Sequence, residues 1–223
     1  MDSCWILGAG RFGRKALAAL SRKYPEAAIT VIDRDGDAIN DAPAALRITV
    51  VRGEAMTYMA EHLKPGQPAP EWIVPAIPVH VAYEWIIRRL AAEGFRAAPL
   101  AVPEAVVQSL PNVFRGEGGA IYASNADFFC PDNCSEPEAI CTHTGKPRPC
   151  TLYEKLGEVS AARFYTRCPL RRLQLAPGVG GYRPEALFHT QAAVRKTAGP
   201  LLLSTACRCH GVMHAFEVRA VGC

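Results

Sequence analysis

The chain opens with Ser3-Cys4-Trp5-Ile6-Leu7-Gly8-Ala9-Gly10-Arg11-Phe12-Gly13, an apolar run that leads directly into three spaced glycines. Apolar residues at helical spacing follow over residues 14–24, with Ala16, Leu17 and Leu20 on one face. An apolar run, a glycine turn and an amphipathic helix in this order are typical of the first βα unit of a dinucleotide-binding fold. The stretch therefore predicts an α/β domain built on a parallel sheet.

The glycines and one acidic residue have separate roles in such a fold. Gly8 permits the tight turn, Gly10 lets the backbone approach a pyrophosphate, and Gly13 lets the helix pack closely on the strand. A second apolar run, residues 28–32, ends at Asp33, where the fingerprint places the acid that binds the ribose hydroxyls. A carboxylate there repels a 2′-phosphate and favours NAD over NADP, although the neighbouring Arg34 weakens that preference.

The segments LGAGRFGRKAL (residues 7–17) and TVIDRD (residues 30–35) resemble the start of TrkA-N-type nucleotide-binding domains. These are Rossmann folds of potassium-transport regulators and related NAD-binding proteins. The resemblance covers about the first third of the chain and implies that Gly8, Gly10, Gly13 and Asp33 bind NAD, NADH or another adenine nucleotide. It implies a nucleotide fold and no particular reaction.

Strand and helix patterns continue to alternate as far as residue 110. We expect strands at residues 44–51, 71–76 and 97–102 and helices at residues 55–63, 79–93 and 104–110. The predicted fold class is α/β, a Rossmann-like doubly wound parallel sheet with a cysteine-rich insertion before the last strand. Residues 1–110 form the predicted dinucleotide-binding domain, and residues 111–223 form a cysteine-rich region whose strand at 201–206 completes the same sheet.

Four cysteines lie within twenty-one residues of the second half, in the spacing C-x3-C-x6-C-x8-C: Cys130, Cys134, Cys141 and Cys150. Structural zinc sites usually contain a C-x2-C pair, which is absent here, whereas iron-sulfur sites accept wider spacings and often have a proline beside a ligand. We therefore predict a [4Fe-4S] cluster on these four residues. A zinc ion and metal-free thiols are the alternatives, and His143 is a possible replacement ligand.

A second group, Cys207, Cys209 and His210, follows the strand predicted at residues 201–206. If that strand belongs to the first sheet, its carboxyl end brings these side chains to the nucleotide crevice, as catalytic groups or as further ligands. His80 lies at the start of the helix predicted at residues 79–93, at the same edge, and is a candidate acid or base. Cys168 is a reserve ligand.

Composition and charge limit the classes of binding partner that the sequence predicts. The excess of basic residues lies in residues 111–223, which carry thirteen basic and nine acidic side chains, and this favours an anionic small molecule or a redox partner protein. No basic tract interleaved with aromatic residues indicates nucleic acid, and no apolar run is long enough for a membrane span. The amino terminus leads straight into a strand, so we expect a cytoplasmic protein.

Three function classes remain open. The first is an NAD-binding iron-sulfur protein that acts as a small oxidoreductase or electron-transfer component. The second is a non-catalytic sensor of nucleotide and redox state, and a dehydrogenase-like protein with structural zinc is a further alternative. A hydride carrier moves two electrons and a cluster usually one, so whether the protein is an enzyme stays open at this point.

Overall fold

The computed structural model describes residues 1–35, 47–159 and 165–220. Its first half contains a four-stranded parallel sheet in the order β3-β2-β1-β4, which confirms the predicted parallel α/β architecture. Helices α1 to α3 follow β1, β3 and β4. The strands are β1 (Ser3–Leu7), β2 (Ala28–Asp33), β3 (Ile48–Arg52) and β4 (Trp72–Pro75), and the helices are α1 (Arg11–Lys23), α2 (Ala55–His62) and α3 (Val81–Ala92). The first residues of the predicted third strand, 44–46, lie outside the described residues.

Helix α1 packs on this sheet through the face that the sequence predicts. Its buried residues include Ala16, Leu17 and Leu20, which join one apolar cluster with residues such as Ile6 and Ile29 from the strands beneath. Removing such side chains from water stabilises the fold by about 1.5–3 kcal/mol for each large one. This packing holds the amino-terminal end of α1 beside the carboxyl ends of β1 and β2.

The second half forms a separate mixed sheet, so the prediction of one doubly wound sheet is wrong in this respect. The path of the sheet is β6-β7-β12-β11-β8, and β5 also pairs with β12. Its strands are β5 (Phe95–Leu100), β6 (Phe114–Arg115), β7 (Ile121–Ser124), β8 (Thr166–Arg171), β11 (Pro200–Ala206) and β12 (His210–Ala220).

The short connection after β11 explains why this strand joins the second sheet and not the first. Only residues 207–209 separate β11 from β12, and so short a turn forces antiparallel pairing between them. Strand β12 is long enough to pair with β11 along one edge and with β7 and β5 along the other. Strand β11 therefore lies inside the second sheet, parallel to β8, and does not extend the first.

Three further α-helices, a 3-10 helix (Glu117–Gly119) and a hairpin complete the described elements. These are α4 (Glu104–Gln108), α5 (Leu152–Gly157), α6 (Pro184–Lys196) and the hairpin of β9 (Leu173–Ala176) with β10 (Val179–Gly181). Just after β10, Tyr182 exchanges two backbone hydrogen bonds with Ile73 of β4, of 2.9 and 3.0 Å. One apolar cluster contains Leu7 and Ile73 of the first sheet with Leu201 and Phe216 of the second. The two sheets thus share a continuous core.

A buried polar network lies where α3 meets the second sheet. The Nδ1 atoms of His80 and His214 are 2.9 Å apart, and His80 Nε2 is 2.8 Å from the Thr205 hydroxyl oxygen. The Tyr83 ring stacks on His214 with a centroid distance of 4.0 Å. Burial lowers the pKa of His214 to about 4, and burial together with His214 lowers the pKa of His80 well below its usual value.

Both histidines should therefore make the fold sensitive to acid. A histidine whose pKa is lowered by folding contributes its stability above the unfolded pKa of about 6.5 and loses it as the pH falls towards the folded value, about 4 for His214. We expect the free energy of unfolding, measured by urea titration, to fall through this window, by up to about 1.4 kcal/mol per pH unit per histidine. His214→Phe should show a shallower slope, and Tyr83→Phe, which keeps both histidines, should keep the wild-type slope. Equal slopes in all three proteins would contradict this account.

Candidate functional site: a cleft between the glycine loop and four cysteines

The glycine loop has the tight geometry expected of a nucleotide-binding turn. Gly8 has a φ of 99°, which L side chains rarely adopt, and a Cβ on it would lie 2.7 Å from Ile77 Cγ2. A Cβ on Gly13 would overlap the Gly8 carbonyl oxygen, so helix and loop approach closely there. A Cβ on Gly10 would meet nothing within 4 Å. Gly8 and Gly13 shape the loop, and Gly10 presents an open backbone face.

Asp33 ends β2 beside this loop, at the place that the sequence predicts. Its Oδ2 accepts a hydrogen bond of 2.5 Å from the Ala9 amide, and its Oδ1 accepts one of 2.9 Å from the Asp35 amide. A cavity of about 510 Å³ opens next to it, with Gly8, Asp33, Glu54 and Arg88 among its lining residues. A carboxylate has about four acceptor positions, so Asp33 retains capacity for a ligand hydroxyl.

A second cavity, of about 530 Å³, adjoins the first, since both are lined by Ile77 and Pro78. One wall comes from the first sheet and α1, with Phe12, Ala16 and Ala76. The opposite wall comes from the second half of the chain and includes Cys130, Cys134, Cys207, Cys209 and His210. Members of both cysteine groups, which lie far apart in the sequence, therefore line one wall of this cavity, which we call the thiol cavity.

Cys207 and Cys209 reach this position by a different route from the predicted one. They lie in the turn between β11 and β12 of the second sheet, and that turn faces the carboxyl end of β4. The hydrogen bonds between Tyr182 and Ile73 join the first sheet to the segment that follows the hairpin of β9 and β10.

Four thiols interact electrostatically within the site: Cys130, Cys134, Cys141 and Cys209. Burial, followed by the nearby thiols of Cys134, Cys209 and Cys141, raises the pKa of Cys130 to about 11. The predicted fourth member, Cys150, has its Sγ 3.4 Å from Asn125 Oδ1 instead. The electrostatics thus link Cys209 with three of the predicted ligands, and Cys150 stays a predicted ligand whose described contact is with Asn125.

Several sulfur atoms in the site accept hydrogen bonds from backbone amides. Cys207 Sγ accepts from the amides of Cys209 and His210 at 3.4 and 3.3 Å, and Cys134 Sγ accepts from Glu136 at 3.4 Å. Amides of Thr144 and His143 lower the pKa of Cys141. Such donors stabilise a thiolate, the form that binds metal and acts as a nucleophile.

Arg148 places a positive charge against the cysteine group. Its Nε donates to Cys209 Sγ at 2.9 Å, while its Nη atoms donate to the carbonyl oxygens of Glu138 and Pro137 at 2.7 and 2.6 Å. Burial still raises the pKa of Cys209, because desolvation outweighs the effect of Arg148.

Within the described ranges, no group of three or more His, Cys, Asp or Glu side chains is arranged to hold a metal ion.

The remaining cysteines and the two candidate histidines are considered in turn. Cys4 and Cys168 are buried, and burial raises their pKa values to about 12 and about 11. Cys168 belongs to the main apolar cluster and is not among the residues that line the thiol cavity. His143 stacks on Phe128, and Cys223 lies outside the described residues. Both ring nitrogens of His80 lie within hydrogen-bond distance of protein groups, so acid-base chemistry by His80 would require one of these contacts to break.

The cysteine segment is tied to both halves of the molecule. Gly178 donates its amide to the Cys134 carbonyl oxygen at 2.8 Å, and Gln174 donates to the same oxygen at 2.7 Å. Asp132 forms an ion pair with Arg11, the first residue of α1. This ion pair has no signal in the sequence, because 120 residues separate its partners.

Comparison with known families finds two matching segments of the chain. The TrkA-N domain family matches residues 4–60, which supports a Rossmann domain of the nucleotide-binding type. A family described as "Uncharacterized protein, C-terminal domain" matches residues 82–219, more than half of the chain. The chain belongs to this family.

A relative of similar length comes from Archaeoglobus fulgidus. It is 27% identical over 226 residues, covering 95% of this chain and 98% of the relative, and it is described as "Uncharacterized protein". No solved structure matches the chain. None of the described helices is long and apolar enough to cross a membrane.

Alanine substitutions at Gly10 and Gly13 should have different effects on the stability of the protein. Gly13→Ala places a Cβ on the Gly8 carbonyl oxygen and should destabilise the protein by about 1–3 kcal/mol, as overpacking does. Gly10→Ala meets open space and should stay roughly within 0.5 kcal/mol of the wild type. Thermal unfolding without added nucleotide measures both changes. Equal destabilisation by the two substitutions would contradict the described loop geometry.

Proposed function

We propose that the protein binds NAD in this cleft and carries an iron-sulfur cluster at the cysteine group beside it, acting as a small redox protein. The observation that carries the proposal is the junction of the two cavities. The glycine loop and Asp33 lie at one cavity, the thiols line the other, and Ile77 and Pro78 belong to both. A dinucleotide is long enough to occupy the two cavities together.

The adenosine half belongs in the cavity beside Asp33. There the carboxylate accepts ribose hydroxyls, and the amino-terminal end of α1 offers amides and positive potential to the pyrophosphate. The negative charge of Asp33 disfavours a 2′-phosphate and thus NADP. The nicotinamide half then lies in the thiol cavity, against Cys207 and His210.

The cysteine group has features expected of a cluster site. Four thiols share one electrostatic environment, several accept amide hydrogen bonds, and Arg148 offsets negative charge. Prolines follow Cys130 and precede Cys150 directly. The thiols are not arranged around a single ion in the described structure, so binding of the centre itself would have to draw the ligands together. A zinc ion is the alternative occupant.

A second function, that of a nucleotide-responsive sensor, is favoured by the ion pair between Arg11 and Asp132. It joins the amino-terminal end of α1, where the pyrophosphate binds, to the residue two positions after Cys130. A bound pyrophosphate competes with Asp132 for Arg11. Nucleotide occupancy would therefore act on the cysteine group without electron exchange between a two-electron carrier and a one-electron cluster.

The nucleotide assignment predicts a specific loss on removal of one carboxylate. Asp33→Ala should weaken NADH binding by about 10- to 100-fold, because hydrogen bonds to a charged group are lost. Isothermal titration measures the affinity, and Glu26→Ala, which removes an exposed carboxylate outside the cavity, is the matched control. NADP bound more tightly than NAD by the wild type, or equal losses in both variants, would reject the role of Asp33.

The cluster assignment predicts iron and acid-labile sulfide in anaerobically purified protein, with the broad visible absorption of an iron-sulfur centre. Cys134→Ser and Cys209→Ser should lose most of both, because each removes a proposed ligand. Cys168→Ser, in the apolar core, should retain them at wild-type level. A colourless wild-type protein that contains one zinc ion would reject the cluster in favour of zinc. Loss of iron and sulfide in Cys150→Ser but not in Cys209→Ser would identify Cys150, and not Cys209, as a ligand.

A further inference from the structure

One residue of the cysteine segment has a backbone conformation that side chains disfavour. Glu136 has a φ of 50°, in the left-handed region that glycine adopts readily and other residues adopt rarely. Among the described residues, Asn112 is the only other non-glycine residue with a positive φ. Such a conformation persists only where the surrounding contacts hold it, and it occurs most often at functional sites. The contacts of Glu136 therefore indicate its role.

Glu136 contacts both groups of cysteines, through different parts of the residue. Its backbone amide donates to Cys134 Sγ at 3.4 Å, and its side-chain Oε1 accepts a hydrogen bond of 2.7 Å from the Arg208 amide. Arg208 lies between Cys207 and Cys209, in the turn that joins β11 to β12. One residue thus links the segment that carries Cys134 to the turn at residues 207–209.

The carboxylate of Glu136 also lies close to the thiols of that turn. Burial is the main reason that the pKa values of Cys207 and Cys209 are raised, and the Glu136 carboxylate raises both further. Glu136 is also among the residues that line the thiol cavity. Its negative charge is therefore part of the surroundings of the cysteine group.

The other contacts of the turn do not duplicate the hydrogen bond from Glu136. The Arg208 carbonyl oxygen accepts from the Leu152 amide at 2.9 Å and from Asn125 Nδ2 at 3.1 Å, so the turn is held there by residues on either side of the four-cysteine segment. The Arg208 guanidinium lies 3.5 Å from Glu138 Oε1, but the Glu138 side chain is 86% exposed, and such surface pairs stabilise little.

We propose that Glu136 is a positioning residue of the cysteine group: it holds the turn at residues 207–209 against the segment of Cys134, and its charge lowers the reduction potential of the centre. The positioning role depends only on the hydrogen bond to Arg208. The effect on the potential rests on the proposed function. Negative charge beside a cluster disfavours the electron that reduction adds.

Hydrogen exchange, measured by NMR on the metal-free protein, tests the positioning role. Glu136→Ala should speed exchange at the Arg208 amide by at least about tenfold, because a hydrogen bond to a charged group is lost. Glu136→Gln keeps an acceptor oxygen and should restore most of the protection. Glu138→Ala removes the neighbouring exposed carboxylate and should exchange like the wild type. Unchanged exchange in Glu136→Ala, or equally fast exchange in Glu138→Ala, would overturn the positioning role.

Glu136→Gly separates loss of the contact from loss of the fold. Glycine adopts a positive φ without strain, so this variant should unfold at a higher temperature than Glu136→Ala while the Arg208 amide exchanges as fast in both. Protection of that amide in Glu136→Gly at the wild-type level would show that the carboxylate does not hold the turn.

The reduction potential of anaerobically purified protein tests the effect of the charge. Glu136→Gln should keep iron and sulfide at the wild-type level and raise the potential, whereas Glu138→Gln should raise it less because solvent screens an exposed charge. An unchanged or lower potential in Glu136→Gln would reject the effect of the charge. A wild-type protein without iron would reject the proposed function and this effect with it, and exchange at the Arg208 amide would still decide the positioning role.

Discussion

The pair of backbone hydrogen bonds between Ile73 and Tyr182 is the contact on which the rest of the cleft depends. It joins the edge strand of the first sheet to the segment just after β10. The hairpin of β9 and β10 holds the cysteine segment through Gly178 and Gln174, and Arg172 precedes it. This one junction therefore brings the cysteine segment and the guanidinium to the carboxyl end of β4, where α/β sheets bind their ligands.

The first half of the structure follows from local sequence because its signals are local. A glycine turn, the helix after it and the acid at the end of the next strand all lie within residues 3–33, and each has a steric or electrostatic reason that requires no distant partner. The overlap that a Cβ on Gly13 would produce with Gly8 is such a reason. Helical spacing at Ala16, Leu17 and Leu20 likewise specifies which face of α1 is buried.

The strand pairing of the second half could not be predicted from local sequence, because the sheet that a strand joins depends on residues far away in the chain. An apolar strand such as β11 has the same pattern in either sheet, and only the short turn to β12 decides its partner. The grouping of Cys209 with Cys130, Cys134 and Cys141 depends on that pairing, whereas the spacing within residues 130–150 suggested Cys150. The short connection at residues 207–209 was the sequence signal from which the antiparallel pairing of β11 with β12 could have been predicted.

Two arginines in the cleft differ in the groups that their side chains contact. The guanidinium of Arg148 donates to a sulfur and to two carbonyl oxygens, so its donors are committed within the protein and its charge serves the thiols. Arg172 has a buried Nε without an acceptor and no described ion pair, although it occupies a space that only a glycine neighbour leaves open. Two guanidinium groups in one cleft thus have different surroundings, because one is fixed by a sulfur and two carbonyl oxygens and the other by the space that Gly180 leaves on the backbone of β10.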